Sequence, residues 1–167
     1  MKIAFYGTAP DIGTSANMAV VREYLRCCWN IADIEAAILF ADYSNKKAQI
    51  EEILEKFDLL VMNISASDRN VERIFLENSF IRKNVIFLFG KYNHHNENAL
   101  YAFAKEYRID RGRVCAIPYN LRFQRAHEHN KIAAYLRQKK DSFEDEIFKK
   151  NLFRIACAIS NYAKKGE

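Results

Sequence analysis

The chain of 167 residues carries 26 Lys and Arg against 21 Asp and Glu, a formal net charge of +5, and 50% of its residues are apolar. This composition supports a packed core and excludes a disordered chain, while 5 Gly and 2 Pro exclude collagen-like and linker-like proteins. No apolar run approaches the ~18–20 residues that a membrane span needs, and we expect one globular domain over residues 1–167.

Short apolar runs alternate with stretches of helical periodicity along the first third of the chain. Lys2–Tyr6 is rich in β-forming residues and predicts a first strand rather than an export signal. Thr14–Trp29 has helical spacing. Ala36–Phe40 predicts a second strand, and Asn45 is suited to cap the helix that follows.

The middle of the chain repeats this rhythm. Leu59–Ile64 is apolar throughout except for Asn63, which is typical of a parallel strand covered on both faces. Ser67 or Asp68 is suited to cap a helix that ends near Asn78. A fourth strand is predicted over Val85–Phe89.

The last part of the chain predicts one more strand and a long helix. A helix that Asn96 or Asn98 opens and that ends near Tyr107 precedes a fifth strand, Val114–Ile117, which Pro118 terminates. The final helix begins with a capping-box-like sequence, Ser142 to Asp145. Strands separated by helices predict an α/β fold: a doubly wound, mainly parallel five-stranded sheet with helices on both faces.

Candidate ligand-binding residues lie in the loop after the first strand, because ligands bind at the carboxyl ends of parallel strands. A phosphate-binding loop needs inward backbone N–H groups, a hydroxyl for Mg²⁺ and a lysine for the phosphates. Gly13, Thr14, Ser15 and the helix that follows satisfy the geometric part of this requirement. Thr14 stands where the lysine is needed, and Asp11 adds a negative charge that opposes a triphosphate.

The stretch Ala9–Ser15 resembles the phosphate loop of the ParA/MinD-like (SIMIBI class) P-loop ATPases, which reads Lys-Gly-Gly-x-Gly-Lys-Thr/Ser. Ala9 and Thr14 replace the two lysines of that loop, while Gly13 and Ser15 remain.

Three later segments carry the same resemblance. Phe57–Ser65 is similar to the family strand that follows Walker B. Val85–Asn93 resembles the next strand, which ends in an adenine-contacting Asn before a basic residue and reads Gly90-Lys91 here. Cys115–Asn120, followed by Phe123 and Ala126, is similar to the Ile-Pro-Tyr-Asp/Asn segment near the adenine.

The resemblance implies a P-loop NTPase-like fold and a site for ATP or ADP with Mg²⁺. Because both lysines are absent, we expect a pseudo-ATPase with a regulatory, partitioning or localisation role, and a homodimer joined across the phosphate-loop face. Asp42 is the nearest candidate for the Walker B acid. The cofactor-binding residues implied in the loop are Gly7, Asp11, Gly13, Thr14 and Ser15, of which Gly13, Thr14 and Ser15 are expected to contact phosphate. Ser15 is also implied for the metal, and Pro118 and Asn120 lie beside the base.

The alternative is a non-enzymatic α/β interaction domain. Residues 105–140 hold ten basic and three acidic side chains, and ParA-like proteins often bind DNA nonspecifically through such residues. A surface of this kind attracts DNA or an acidic protein partner, although arginine stems also cover apolar surface.

Two further inferences concern the cysteines and the carboxylates. The four cysteines have no metal-type spacing, so we expect reduced thiols and a cytoplasmic location. Asp42 and Asp58 suggest an acidic site like that of phosphoacceptor receiver domains, but the acidic pair that such domains carry after the first strand is reduced here to Asp11.

Overall fold

The computed structural model describes residues 1–9, 12–28, 38–43, 50–65, 84–93, 97–139 and 142–163. Several residues with predicted roles lie outside these ranges, so the predictions made for them stay predictions: Asp11, Asn45, Ser67, Asp68, Asn78 and Asn96.

The strands of the described residues form one all-parallel sheet. They are β1 (Lys2–Gly7), β2 (Leu39–Tyr43), β3 (Leu59–Ile64), β4 (Val85–Tyr92) and β5 (Val114–Pro118). Their order is β2-β1-β3-β4-β5, so β1 lies inside the sheet, and β2 and β5 are its edges within the described part of the chain. All the strands point the same way, so their carboxyl ends meet at one edge.

Helices cover both faces of this sheet, which confirms the predicted doubly wound α/β fold. One face packs against α1 (Thr14–Cys28), α4 (Leu121–Glu128), α5 (Ile132–Arg137) and α6 (Phe143–Ala163). The other face packs against α2 (Ile50–Lys56) and α3 (Glu97–Glu106). A short 3₁₀ turn, Arg111–Arg113, leads into β5.

The central strands explain why both faces must be covered. Every residue of β3 is buried, as the run that is apolar except for Asn63 predicted. Leu59 and Val61 belong to the core under α1 and α6, whereas Leu60 and Met62 belong to the core under α2 and α3. Full burial of one such side chain contributes about 1.5–3 kcal/mol to the free energy of unfolding. Leaving either face of the sheet exposed to water would forfeit this contribution from several residues.

The second strand lies further along the chain than its apolar run predicted. β2 spans Leu39–Tyr43 rather than Ala36–Phe40, and residues 36 and 37 lie outside the described ranges. Its register pairs Leu39 with Lys2 and Tyr43 with Tyr6. Hydrogen bonding to β1 sets the bounds of this edge strand, and a run of apolar residues does not reveal where that pairing begins.

A buried carboxylate joins the helices of the C-terminal part. The Asp145 side chain, on the first turn of α6, accepts hydrogen bonds from Asn120 Nδ2 at 3.1 Å and Tyr135 Oη at 2.9 Å, and forms an ion pair with Arg122. Its backbone N–H donates to Ser142 Oγ, as the capping sequence predicted. Asp145 thus connects the starts of α4 and α6 with α5.

The electrostatics of Asp145 follow from these contacts. Burial acts to raise its pKa, but the hydrogen bonds from Asn120 and Tyr135 and the charge of Arg122 together lower the pKa below its ordinary value of 3.8. Burial and the hydrogen bond to the same carboxylate raise the pKa of Tyr135. The pair therefore holds a carboxylate and a neutral phenol.

We expect Asp145→Asn to lower the free energy of unfolding by about 2 kcal/mol at neutral pH, since it removes a charge that accepts buried hydrogen bonds. Because the pKa of Asp145 is lower in the folded chain, its carboxylate stabilises the fold above pH 3.8, and this contribution is lost as the pH falls through the lowered pKa. Urea unfolding at pH 7 and near pH 3 tests both statements, with Glu144→Gln on the exposed side of α6 as the control.

Equal unfolding free energies for Asp145→Asn and Glu144→Gln at pH 7 would show that the buried carboxylate contributes no stability. A difference that grows on acidification would contradict the direction of its pKa shift.

Candidate ligand site at the carboxyl edge of the sheet

A buried asparagine at the end of β3 holds the loop after β1. Asn63 is fully buried, and its Oδ1 accepts a hydrogen bond of 2.8 Å from Asn17 Nδ2 on α1. Its backbone oxygen accepts from the backbone N–H and the hydroxyl of Thr8, at 3.1 and 3.2 Å. These neutral groups draw the loop and the first turn of α1 onto β3.

The residues of the resembling phosphate loop occupy distinct environments. Thr14 is buried, and its Oγ1 lies 2.6 Å from where a side chain on Gly7 would begin, so it faces the end of β1. Ser15 is exposed on the first turn of α1. Gly13 has φ +81°, a left-handed conformation that glycine adopts without strain.

The same loop packs closely against β4. A Cβ added to Gly90 would lie 2.4 Å from the carbonyl oxygen of Ile12 and 3.0 Å from Asn17 Nδ2. Any larger residue at position 90 would therefore have to displace the loop. An Asn at position 90, the residue type that the resemblance implies at the end of this strand, would not fit beside the loop.

A lysine from β4 lies beside the start of α1. Lys91 has an exposed side chain and a left-handed backbone with φ 50°. Its Cε lies 3.9 Å from the position that a Cβ on Gly13 would take. The helix N-terminus thus has a positive charge next to it, although the loop contains no lysine.

These elements surround a cavity of about 330 Å³, which we call the carboxyl-edge cavity. It lies between the first turn of α1, the ends of β4 and β5, and α4, where a doubly wound sheet places its ligands. Its size is at the lower end of the range for small-molecule sites. The described lining residues are Gly13, Ala16, Asn17, Lys91, Ile117, Pro118, Tyr119, Asn120, Phe123, Gln124, His127 and Glu128.

Three of the predicted site residues, Gly13, Pro118 and Asn120, line this one cavity, whereas Gly7, Thr14 and Ser15 do not line it. The Asn120 side chain has a structural role that sequence reasoning missed. Its Oδ1 accepts from the backbone N–H of Phe123 at 2.8 Å, which caps α4, and its Nδ2 donates to Asp145. The sequence signal for this cap was an Asn directly before a helical segment, since Asn is a preferred N-cap residue.

The two acidic candidates lie at opposite edges of the sheet. Asp42 stands near the carboxyl end of β2 and pairs in register with Phe5. Asp58 precedes β3 at the amino edge, where its Oδ2 accepts a hydrogen bond of 2.6 Å from the backbone N–H of Lys2. They cannot share a receiver-type site, and the described residues include no group of three or more His, Cys, Asp and Glu placed to hold a metal ion.

The basic residues between 105 and 140 do not form one surface. Arg111 lies at the amino end of β5, stacked over the Tyr101 ring at 5.8 Å, and Arg113 donates to the carbonyl oxygen of Val85. Arg122 is paired with Asp145. The exposed cations of α4, α5 and their flanks stand apart from these: Arg125, Lys131, Arg137 and Lys139.

Comparison with models of known protein families and with curated proteins finds no match to this chain. Among the described residues, none of the helices has the length and apolar character needed to cross a lipid bilayer.

We expect Gly90→Ala to lower the free energy of unfolding by about 1–3 kcal/mol, because the added methyl group overlaps the Ile12 carbonyl oxygen. Gly112→Ala is the matched control, since its methyl group would meet only the Asp110 carboxylate, at 3.2 Å. Urea unfolding measures both changes. Equal unfolding free energies for the two variants would mean that the loop does not rest on Gly90.

Proposed function

We propose that this protein binds a nucleotide weakly in the carboxyl-edge cavity and does not hydrolyse it efficiently. It would then be a degenerate ParA/MinD-like protein in which nucleotide binding serves regulation, partitioning or localisation. The observation that carries this proposal is the cavity itself, which joins the start of α1, Lys91 and the Pro118–Asn120 segment at one edge of the sheet.

Binding is supported by the groups that face the cavity. The first turn of α1 offers backbone N–H groups, which favour an anion at a helix N-terminus. Lys91 adds a full positive charge beside Gly13. Ile117, Pro118 and Phe123 supply apolar surface for a planar base.

Weak affinity for nucleotide and slow hydrolysis are supported by the absence of a lysine from the loop after β1. Phosphoryl transfer depends on positioned positive charge and a metal ion. Thr14 is buried against the end of β1 and provides no charge. The resemblance assigns Mg²⁺ to the hydroxyl of Ser15, which is exposed at the start of α1 and does not line the cavity. Among the described cavity residues only Glu128 is acidic.

We expect calorimetry with Mg²⁺ and ADP or ATP to give one weak site per chain, with little phosphate release from ATP. Lys91→Met should weaken binding about tenfold, because a hydrogen bond to a charged group contributes about 1.5–3 kcal/mol. Lys56→Met, on an exposed position of α2 on the other face of the sheet, is the control.

Two results would contradict this proposal: no binding of either nucleotide, or phosphate release at the rate of ordinary partition ATPases. Sedimentation with and without nucleotide tests the homodimer that the resemblance implies across this edge.

A second candidate function is binding of DNA or an acidic protein partner through α4 and α5. One observation favours it: Arg125, Lys131, Arg137 and Lys139 are exposed here, with Glu128 as the single acidic residue between 121 and 139. Such a surface attracts phosphates without reading the base sequence.

If this surface binds duplex DNA, affinity should fall about a hundredfold between about 50 and 200 mM salt, as expected for roughly four phosphate contacts. Replacing Arg125 and Lys131 by Gln should lower the salt slope by about 2. The control replaces Lys56 and Lys105, on the opposite face of the sheet. A gel with no shift at low salt would exclude this function.

A further inference from the structure

A second cavity, of about 460 Å³, lies along the edge strand β5, between α3 on one face of the sheet and α6 on the other. We call it the α6 cavity. It is separate from the carboxyl-edge cavity, since the two share none of their described lining residues. The described lining residues are Tyr92, Leu100, Arg111, Gly112, Val114, Cys115, Ile147, Asn151, Arg154, Cys157, Ala158 and Asn161.

The α6 cavity is elongated. Between Ile147 and Asn161 the lining residues of α6 follow one another at three or four positions, except for the adjacent pair Cys157 and Ala158, so they form a single stripe along the helix. At 1.5 Å per residue this stripe is about 21 Å long. The cavity therefore has room for a ligand with two separated groups.

Two guanidinium groups make the α6 cavity positive. Arg111 enters from the 3₁₀ turn and Arg154 from α6. Neither forms an ion pair with a described residue, and none of the described lining residues is acidic. The carboxyl-edge cavity, by contrast, is lined by one residue of each sign, Lys91 and Glu128.

The floor of the α6 cavity is apolar and uncharged. Leu100, Val114 and Ala158 contribute aliphatic groups. Burial raises the pKa of the Cys115 thiol to about 12, against the opposing charge of Arg154. The thiol is therefore neutral and does not compete with an anion for that arginine.

We propose that the α6 cavity binds a small organic dianion: one acidic group on each of Arg111 and Arg154, and an apolar body against β5. Guanidinium groups bind carboxylates and phosphates with two parallel hydrogen bonds. The amides of Asn151 and Asn161 lie on the same stripe. The volume of the cavity is typical of sites that enclose small molecules.

The test uses naphthalene-1,5-disulfonate, a rigid aromatic dianion whose sulfonates stand in for carboxylate or phosphate. Calorimetry at low salt should show one site on the wild-type chain. Arg154→Met and Arg111→Met should each weaken binding about tenfold. Lys150→Met is the matched control, because it removes an exposed charge of α6 that does not line the cavity.

A chemical footprint locates the bound probe. Cys157 lines the α6 cavity and is partly exposed, whereas Cys28 is exposed on α1 outside it. The probe should slow alkylation of Cys157 and leave that of Cys28 unchanged, as read by peptide mass spectrometry.

Three results would overturn the proposal: no binding to the wild-type chain, equal weakening by Lys150→Met and the arginine variants, or an unprotected Cys157. None of these readouts depends on whether a nucleotide binds in the carboxyl-edge cavity.

Discussion

The candidate nucleotide site depends on one requirement, that the Asn63 amide be hydrogen-bonded inside a fully buried strand. An unpaired amide in that position would cost about 1–3 kcal/mol. Asn17 satisfies its oxygen, and Thr8 binds the adjacent backbone oxygen. Because these partners come from the loop after β1 and from α1, the polar residue of β3 also determines where the loop lies.

The position of the loop in turn decides what the neighbouring residues can do. With the Ile12 carbonyl against β4, position 90 has room for glycine alone, and Lys91 follows at the edge of the cavity. A positive charge thus stands beside the start of α1 although the loop after β1 contains no lysine. A lysine at the end of β4, two strands away from β1, can attract an anion, but it is not part of the loop that would surround a triphosphate.

The C-terminal part follows a different principle, in which polar side chains join helices. Asp145 draws Asn120, Tyr135 and Arg122 together and so spaces α4, α5 and α6. Arg122 belongs to the basic region 105–140 by its position in the sequence, but in the structure it is paired with Asp145 in this network. Others are divided between α4 and α5 and the amino end of β5, where Arg111 joins Arg154 at a separate cavity.

The sequence by itself determined the α/β class, the parallel arrangement and the bounds of β3, because burial on both faces leaves a continuous run in which only Asn63 is polar. It also placed the candidate loop before α1 and suggested the Ser142 cap. Only the tertiary structure decided that Asn17 binds Asn63, that Gly90 accommodates Ile12, that Lys91 stands beside Gly13 and that Arg111 and Arg154 face one cavity. Those contacts join residues 43 or more positions apart. The periodicity of a segment indicates which of its residues face a core, but it contains no signal for which segments pack against each other.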